Sequence, residues 1–370
     1  MSSSPRVNSS PIALLGRRDH PTNALRDYCE CLARAFERRG IHLEIVETFS
    51  QSRVGLTELL GLWHSSKDWR GRWILVQYTA LSWSKRGFPI MFLFLLVLLK
   101  FRGARIAVVF HDPQTYSGSR FVDKARRACQ RYVMSCAYGT ATASILTIPL
   151  EEVPWIPRDG SKAVFIPVGS NVPPPASSIL NAQNATRKKK TIAVFSMTDG
   201  ALAPEIEDIA IAVKYAGQQI QTLRLVTLGR GSKRAEERLR QMLSGEQAEF
   251  VALGLLSPEE ISNTLAGSDV LLFARGSLSA QRGSAIAGIA CGLPIVAYSS
   301  STPKLPLSAA GILFVPLGDR EELSRATARV LTDAQLWKEL HERSVCAYAK
   351  YFSWDAIAAK FAKILFNDAT

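Results

Sequence analysis

The sequence lacks the residue patterns that mark several common kinds of functional site. No two aspartates are separated by a single residue, and no histidines and carboxylates have the spacing of a metal site. Neither a Walker-type phosphate loop nor a Gly-x-Ser-x-Gly nucleophile motif occurs. We therefore expect the protein to work without a bound metal ion and without a cofactor.

The chain has few cysteines, and their positions do not suggest a disulfide framework. Of the six, only Cys29 and Cys31 are close in sequence, and they lie in a predicted helix where they point to different faces. Scattered free thiols indicate a reducing compartment. The first residues, MSSSPRVNSSP, are polar and do not resemble a signal peptide. A cytoplasmic location is the expectation.

Long hydrophobic runs are also missing. The most apolar segment, PIMFLFLLVLL at 89–99, is about half the length needed to span a bilayer. Basic residues flank it on both sides (Lys85, Arg86, Lys100 and Arg102). Two interpretations stay open. The slightly favoured one is a buried helix that covers a parallel sheet, and the other is a helix that lies peripherally on the anionic cytosolic face of a membrane. The two are compatible, because one face of the helix can be buried while the other contacts lipid.

Length and charge narrow the class of protein further. A chain of 370 residues with 47% hydrophobic and 21% charged residues is globular and long enough for two domains. The formal net charge of +13 favours phosphate-bearing partners, such as anionic lipids or nucleotide pyrophosphates. Because the basic residues are dispersed and show no pattern of stacked aromatic residues, nucleic acid is not an expected partner.

Apolar strands alternate with helical segments along most of the chain, a pattern that predicts an α/β fold of two doubly wound, Rossmann-like domains. We predict a first domain over 1–172 and a second over 191–351. The Pro-, Ser- and Asn-rich segment 173–190 reads as a hydrated linker. A closing helix within 352–370 is expected to cross back to the first domain.

In open α/β sheets, ligands bind beyond the carboxyl ends of the strands, so residues that directly follow strands are candidates for a site. In the first domain these are Gly16, Arg17, Arg18, Asp19, Tyr78, Trp83, His111 and Asp112. Alternatives remain for several of them. His111 is a catalytic candidate or a structural histidine, Asp19 a ligand contact or a helix cap, and the two arginines a phosphate clamp or solvated charges.

The second domain contains a strand–loop–helix unit at 268–298, SDVLLFARGSLSAQRGSAIAGIACGLPIVAY. A helix that begins at Gly283 and Ser284 would offer unpaired amides and the positive end of its dipole to an anion. Arg282, at the edge of this helix start, suits a phosphate group. Gly229 and Arg230 are a weaker version of the same pattern.

With these residues in view, the chain resembles family 4 glycosyltransferases, which have the GT-B fold of two domains facing each other across a cleft. The similarity is carried in order by the glycine loop with Asp19, VQYTALSWSKRGFP (76–89), VVFHD (108–112), FIPVGSNVP (165–173), the segment around Gly254 and AGIACGLPIVAY (287–298). The resemblance implies a retaining, metal-independent hexosyltransferase. It places His111 near the transferred sugar and the loop around Gly283 and Ser284 at the donor diphosphate.

Two departures from the family concern the donor site. The family has two glutamates eight residues apart, which contact the donor sugar and the ribose, and the matching positions here are Ser279 and Ala287. The family's arginine and lysine after the first strand of the second domain are replaced within 196–200. Ser284 lies three residues before Ala287, on the same helix face. We interpret the site as rewired rather than lost.

The resemblance implies transfer of a sugar from a nucleotide-sugar to a glycan or lipid-linked glycan, in the assembly of cell-surface polysaccharide. Catalytic residues would be His111 and Asp19. The predicted donor-binding residues are Arg282, Gly283, Ser284, Ser279, Arg230 and Gly229, and the predicted acceptor-binding residues are Gly16, Arg17, Arg18, Tyr78, Trp83 and Asp112. A non-catalytic subunit that binds a partner and a sugar-nucleotide epimerase are the alternatives.

Overall fold

The computed structural model describes residues 10–17, 23–49, 56–157, 159–175, 189–195 and 203–366. Its contacts divide the chain into two compact units. The first unit is Met1–Pro167 together with Trp354–Thr370, and the second is Val168–Ser353. Most of the predicted linker at 173–190 lies outside the described residues, so its character stays a prediction.

The first unit is built on one parallel sheet with the order β2-β1-β3-β4-β5-β6. In chain order its elements are β1 (Ile12–Arg17), α1 (Ala24–Glu37), β2 (Glu44–Phe49), α2 (Leu56–Ser65), β3 (Trp73–Tyr78), α3 (Ala80–Trp83), α4 (Met91–Phe101), β4 (Arg105–Phe110), α5 (Phe121–Thr140), β5 (Ala143–Leu146) and β6 (Ala163–Phe165). The direction of winding reverses between β1 and β3, so the carboxyl ends of these strands lie at a switch point of the sheet.

The central strands β1, β3 and β4 are apolar along nearly their whole length because both of their faces are covered. Phe92, Leu95, Leu96 and Leu99 of α4 are buried against this core, so the helix does cover the sheet as predicted. The remaining side of α4 is exposed to solvent, as discussed below.

The closing helix of the chain, Trp354–Phe366, packs within the first unit, as predicted. The Arg38 guanidinium at the end of α1 lies 2.9 Å from the Asp355 carboxylate. At the other end of the helix, the Trp73 indole donates a hydrogen bond of 2.6 Å to the carbonyl of Leu365. These contacts bring the last residues of the chain onto the first sheet.

Two local predictions differ from the structure. The sequence pattern predicts the second strand over 41–46, but β2 begins at Glu44. The Ile41 amide instead donates to the Phe36 carbonyl, and Gly40 takes the left-handed conformation with φ of 71°. These residues therefore complete the end of α1. The helices α2 and α3 were not predicted.

The second unit repeats the architecture, with the sheet order β12-β11-β10-β7-β8-β9. Its elements are β7 (Lys190–Val194), α6 (Ala203–Gly217), β8 (Leu223–Leu228), α7 (Ser232–Met242), β9 (Glu249–Gly254), α8 (Pro258–Ala266), β10 (Val270–Phe273), α9 (Gly283–Ala290), β11 (Ile295–Ser299), β12 (Ile312–Pro316), α10 (Arg320–Thr332) and α11 (Ala334–Ala347), after which α12 is the closing helix Trp354–Phe366. The paired strands of both sheets run parallel.

Local sequence signals placed several helix starts of this unit correctly. The Ser257 hydroxyl accepts from the amide of Glu260, and the Glu260 carboxylate accepts from the amide of Ser257 at 2.8 Å. This reciprocal pair is a capping box, which the residues Ser257, Pro258 and Glu260 predict from sequence, and Pro258 occupies the first helical position of α8. Asp319 and Asp333 cap α10 and α11 by a single hydrogen bond each, in which the carboxylate accepts from the amide of Glu322 and of Leu336 respectively.

Gly16 is needed for a close approach between β1 and α3. A Cβ added to it would lie 2.5 Å from the Ser82 carbonyl oxygen and 3.1 Å from the Trp83 ring. Because a backbone oxygen cannot move as a side chain end can, Gly16→Ala should destabilise the protein by about 1–3 kcal/mol. Thermal or urea unfolding of the purified variant measures this loss.

Gly61→Ala is the matched control for this prediction. Gly61 lies on the exposed side of α2, where an added Cβ meets none of the described atoms within 4 Å. Alanine has the better helix propensity, so this variant should be as stable as the wild type or more stable by up to about 1 kcal/mol. Equal unfolding midpoints for the two variants would show that Gly16 is not under steric constraint.

Candidate functional site

The second unit contains a cavity of about 400 Å³ at the carboxyl ends of its central strands. Its lining residues come from the segments that follow β7, β8, β9 and β10 and from the start of α9: Phe195, Gly229, Arg230, Leu255, Leu256, Ile261, Phe273, Arg275, Gln281, Arg282, Gly283 and Ser284. The order of the sheet reverses between β7 and β10. The cavity therefore lies where open α/β sheets bind their ligands.

The start of α9 forms one wall of the cavity. Arg282 is the N-cap residue and its side chain makes no capping hydrogen bond. Its carbonyl accepts from the amides of Ala285 and Ile286. Within the described residues, the amides of Gly283 and Ser284 donate to no backbone carbonyl. These two amides, together with the helix dipole, make this wall suitable for an anion.

Gly283 keeps the approach to this helix start open. A Cβ built on it would meet no atom of the described residues within 4 Å, so packing against these residues does not require the glycine. Its backbone also does not have a positive φ. The space beside Gly283 is therefore available to a ligand, and the absence of a side chain lets a ligand oxygen approach the amides closely.

Three arginines line the cavity: Arg230, Arg275 and Arg282. Partial burial lowers the pKa of Arg282, and the nearby charge of Arg275 lowers it further. The positive charges that meet at this cavity favour a ligand with several negative charges. In the described part of the chain, no three His, Cys, Asp or Glu side chains are grouped to hold a metal ion.

The cavity also has an apolar wall that the sequence analysis did not predict. Leu255 and Leu256 follow β9, Ile261 lies in α8, and Phe195 and Phe273 stand at the ends of β7 and β10. Leu255 is 71% exposed, so its side chain is accessible at the cavity. Gln281 was also missing from the predicted residues, whereas Arg275 follows β10 and is a candidate by the strand-end rule although it is not among the predicted donor-binding residues. The signal in the sequence was their position: Arg275 follows β10, and Gln281 precedes α9.

Two predicted donor-binding residues have structural roles next to the cavity. The Ser279 carbonyl accepts from the Arg282 amide at 3.1 Å, which closes the turn before α9, but Ser279 does not line the cavity. Gly229 lines it and has a φ of 106°, a backbone conformation that other residues rarely adopt. The amide of Gly229 donates to the Gly254 carbonyl, so the turn after β8 is tied to β9.

In the first unit, His111 directly follows β4 and is partly buried. Its Nε2 lies 2.7 Å from the Gln77 side-chain oxygen. The Tyr28 ring packs against the imidazole edge to face, with 4.6 Å between the ring centroids. Burial lowers the pKa of His111 to about 4, so the imidazole is neutral at physiological pH. Burial raises the pKa of the next residue, Asp112.

The remaining predictions for the first unit have mixed outcomes. Tyr78 and Trp83 were expected to contact an acceptor, but they are 0% and 1% exposed and pack around Phe92 in the core. Side chains buried in this way hold the sheet and its helices together and cannot touch a ligand. Gly16 is fixed by its close packing, and Nε of Arg17 is buried without a partner among the described residues. Arg18 and Asp19 lie outside the described residues.

The two doubly wound sheets and the cavity at the switch point of the second define a protein with the GT-B fold of glycosyltransferases. Residues 197–333 match the model of the family described as "Glycosyl transferases group 1". The match includes the segments from α6 to α10, with the whole strand–loop–helix unit of the cavity. A comparison with curated protein sequences found no match. The predicted resemblance to GT-B glycosyltransferases is thereby confirmed.

Solved structures support the same fold over the whole chain. Sucrose-phosphate synthase from Thermosynechococcus elongatus is 19% identical, with a TM-score of 0.68 over 97% of this chain and 100% of that one. Anabaena HepE in complex with UDP and glucose is 14% identical, with a TM-score of 0.65 over 97% and 100%. The lipopolysaccharide outer core galactosyltransferase WaaB is 11% identical, with a TM-score of 0.62 over 97% and 99%.

Proposed function

We propose that the protein is a glycosyltransferase whose nucleotide-sugar donor binds in the cavity of the second unit. The observation that carries the proposal is the combination of three arginines with the open start of α9 at the switch point of the sheet. A diphosphate carries the several negative charges that this arrangement favours. The apolar wall beside it offers flat surface for a nucleobase.

The chemistry of the transfer explains why positive charge is needed at this place. When the sugar leaves the nucleotide, negative charge develops on the diphosphate. The Arg282 guanidinium can bind two phosphate oxygens at once, and the amides of Gly283 and Ser284 can donate to others. We infer that arginines and the helix dipole, rather than a divalent ion, stabilise this leaving group.

The positions of the two missing glutamates support a rewired donor site. Ser279 contributes its carbonyl to the turn before α9 and does not line the cavity. Ala287 is 0% exposed within α9, so that position no longer offers a side chain to a ligand. Ser284 lines the cavity one turn before it and carries a hydroxyl. We propose that Ser284 and Gln281 take over contacts with donor hydroxyls, in a retaining hexosyl transfer.

We further propose that the acceptor is a glycan or a lipid-linked glycan used in cell-surface polysaccharide assembly. The WaaB similarity supports this direction, because that protein is a lipopolysaccharide galactosyltransferase. Of the residues predicted on the acceptor side, Asp112 directly follows His111 in the chain. His111 is proposed to act on turnover rather than on donor binding.

Calorimetric titration with UDP, GDP, ADP and CDP tests the donor proposal, and UDP is the first choice because HepE was solved with UDP bound. One of these diphosphates should bind with a dissociation constant in the micromolar to millimolar range typical of enzyme substrates, about 1 μM to 1 mM. Mass spectrometry of incubations with the matching nucleotide-sugars should then detect release of that diphosphate. The donor proposal would be falsified if none of the four diphosphates bound.

A non-catalytic nucleotide-binding subunit is the second candidate, and it is favoured by the loss of carboxylates at positions 279 and 287. Such a protein would bind the diphosphate and release none from any nucleotide-sugar, with or without glycan acceptors. Donor hydrolysis or transfer at a measurable rate excludes it.

The exposed side of α4 supports peripheral contact with a membrane. Ile90, Phe94, Val97 and Phe101 are spaced three or four residues apart, so they form one stripe, and they are 48–81% exposed. Lys85 and Arg86 precede α4 in the chain, Lys100 lies in its last turn, and all three are exposed. An apolar stripe with basic neighbours suits an anionic bilayer surface. None of the described helices is long and apolar enough to span a membrane.

A double variant tests this surface. Phe94→Ser with Phe101→Ser should reduce sedimentation with phosphatidylglycerol-containing vesicles by about tenfold or more, because burying one phenylalanine stabilises binding by roughly 1.5–3 kcal/mol. Leu317→Ser, at a site 52% exposed in the second unit, is the matched control and should bind as the wild type does. Equal binding of the wild type to anionic and neutral vesicles would contradict an electrostatic contribution.

A further inference from the structure

Ser232 is a buried serine at the first position of α7, directly after the turn that carries Gly229 and Arg230. Its side chain is 0% exposed and does not line the cavity. The Ser232 hydroxyl lies 2.9 Å from the Thr227 carbonyl, 2.9 Å from the Thr227 hydroxyl and 3.3 Å from the Gly254 amide nitrogen. One hydroxyl group therefore contacts the end of β8 and the end of β9 at the same time.

The chemistry of these groups fixes the direction of each hydrogen bond. A carbonyl can only accept, so the single hydrogen of the Ser232 hydroxyl is donated to the Thr227 carbonyl. The Thr227 hydroxyl must then be the donor in the contact between the two hydroxyls. The Gly254 amide donates to the same serine oxygen. Ser232 thus donates one hydrogen bond and accepts two, which is the full capacity of a hydroxyl group.

The pairing of β8 with β9 is irregular at the same place. Thr227 pairs with Ala252, whereas the next residue of β8 pairs with Gly254, so β9 contains one extra residue. Such a β-bulge bends the strand that contains it. Gly254 has a φ of 76°, a conformation that favours glycine, and its carbonyl accepts from the Gly229 amide at 2.8 Å. The turn after β8 and the segment after β9 are therefore held together where β9 bends.

Both of these joined segments contribute to the cavity. Arg230 directly follows Gly229 and lines the cavity. Leu255 and Leu256 directly follow Gly254 and belong to the apolar wall. A hydroxyl group that ties the ends of the two strands together therefore also fixes how far the charged turn lies from the apolar wall.

We propose that Ser232 is a positioning residue of the donor site, which fixes the separation between the charged turn after β8 and the apolar wall after β9. Its importance for nucleotide binding rests on the proposed function. The hydrogen bonds themselves are present without a ligand, so their role in holding the two segments together can be tested separately.

Ser232→Ala removes the three hydrogen bonds of this hydroxyl while keeping a residue that suits a helix. In calorimetric titration, the dissociation constant for UDP, or for whichever diphosphate binds the wild type, should rise about tenfold, because a misplaced Arg230 loses about one hydrogen bond to the phosphate. Hydrogen exchange of the unliganded variant should also be faster than in the wild type in peptides covering 227–232 and 252–256, as mass spectrometry can measure.

Ser344→Ala is the matched control, because Ser344 is a buried serine of the same unit with the same kind of contacts. Its hydroxyl accepts from the Gly311 amide at 3.2 Å and lies 3.5 Å from the Leu293 carbonyl. These partners precede β12 and β11, at the edge of the sheet opposite the cavity. Ser344→Ala should lose stability in urea as Ser232→Ala does, but should bind the diphosphate as the wild type does. Equal affinities of the two serine variants would overturn the proposal.

Thr227→Val keeps the branched shape of the side chain but removes the hydroxyl that donates to Ser232. The Ser232 hydroxyl can still donate to the backbone carbonyl of position 227 and accept from the Gly254 amide. The dissociation constant should therefore rise by less than in Ser232→Ala, about threefold. If Ser232→Ala does not fold, this variant decides, and wild-type affinity together with wild-type exchange would refute the proposal.

If no diphosphate binds the wild type, the proposed function fails, and hydrogen exchange alone decides the role of Ser232. Faster exchange of both peptides in Ser232→Ala, with no change there in Ser344→Ala, would confirm that the hydroxyl holds the two segments together. Exchange at the wild-type rate in Ser232→Ala would show that it does not.

Discussion

Arg282→Ala is expected to weaken binding of the donor diphosphate by roughly 10- to 100-fold. A hydrogen bond to a charged group contributes about 1.5–3 kcal/mol, and each 1.4 kcal/mol is a factor of ten in affinity. Arg282 is the N-cap of α9 and lines the cavity beside Gly283 and Ser284. We expect its guanidinium and the amides at the helix start to bind the same phosphate, so the substitution removes one of these two contacts. Isothermal titration with the diphosphate measures the change.

Two further variants make this result specific. Arg282→Lys keeps the positive charge but loses the planar guanidinium fork, so its affinity should lie between those of the wild type and the alanine variant. Arg329→Ala removes the same charge from an exposed position on α10, away from the cavity, and should bind normally at moderate salt. If Arg282→Ala binds the diphosphate as tightly as Arg329→Ala does, the phosphate site has been placed wrongly.

His111→Ala is expected to lower turnover by about 100-fold or more while leaving diphosphate affinity nearly unchanged. The residue belongs to the first unit, whereas the cavity lies in the second. Because burial lowers the pKa of His111 to about 4, the neutral imidazole is the working form. Its contribution should therefore be constant above about pH 5 and be lost as the pH falls through the folded-state pKa.

Steady-state kinetics at saturating donor, combined with calorimetry, separates these effects. His64→Ala is the control, since His64 lies on the exposed side of α2 and contacts only the Leu60 carbonyl among its described partners. Its turnover should equal that of the wild type. Equal turnover in His111→Ala and His64→Ala would remove His111 from the catalytic machinery. A bell-shaped profile with a midpoint near pH 6.5 assigned to His111 would contradict its burial as a neutral group.

Elements defined by neighbouring residues were predicted well. The capping box of Ser257 and Glu260 joins residues three apart, and the caps at Asp319 and Asp333 have the same reach. The strands β8 and β10 were recognisable because they are continuous apolar runs between helices. In each case the interaction that decides the structure is contained in a few consecutive residues.

The predictions that differed depended on packing partners distant in sequence. Tyr78 was placed in the site because it ends a strand, yet it packs between Phe92 and Phe110 in the core. The position of a residue at a strand end indicates that it is near a ligand-binding edge. It does not indicate on which face of the sheet the side chain lies. Where a helix such as α4 covers that face, the side chain is buried in the core.

By itself, the sequence determined the two βα repeats and the start of α9 at Arg282, Gly283 and Ser284, because hydrophobic periodicity and helix starts are local properties. Only the tertiary structure decided which residues join them. The order of the second sheet brings Phe195, Arg230 and Arg275 to one cavity although they lie far apart in the chain. Parallel pairing of β3 and β4 likewise places Gln77 against His111, 34 residues later. Such partners depend on strand order and register, which no short segment contains.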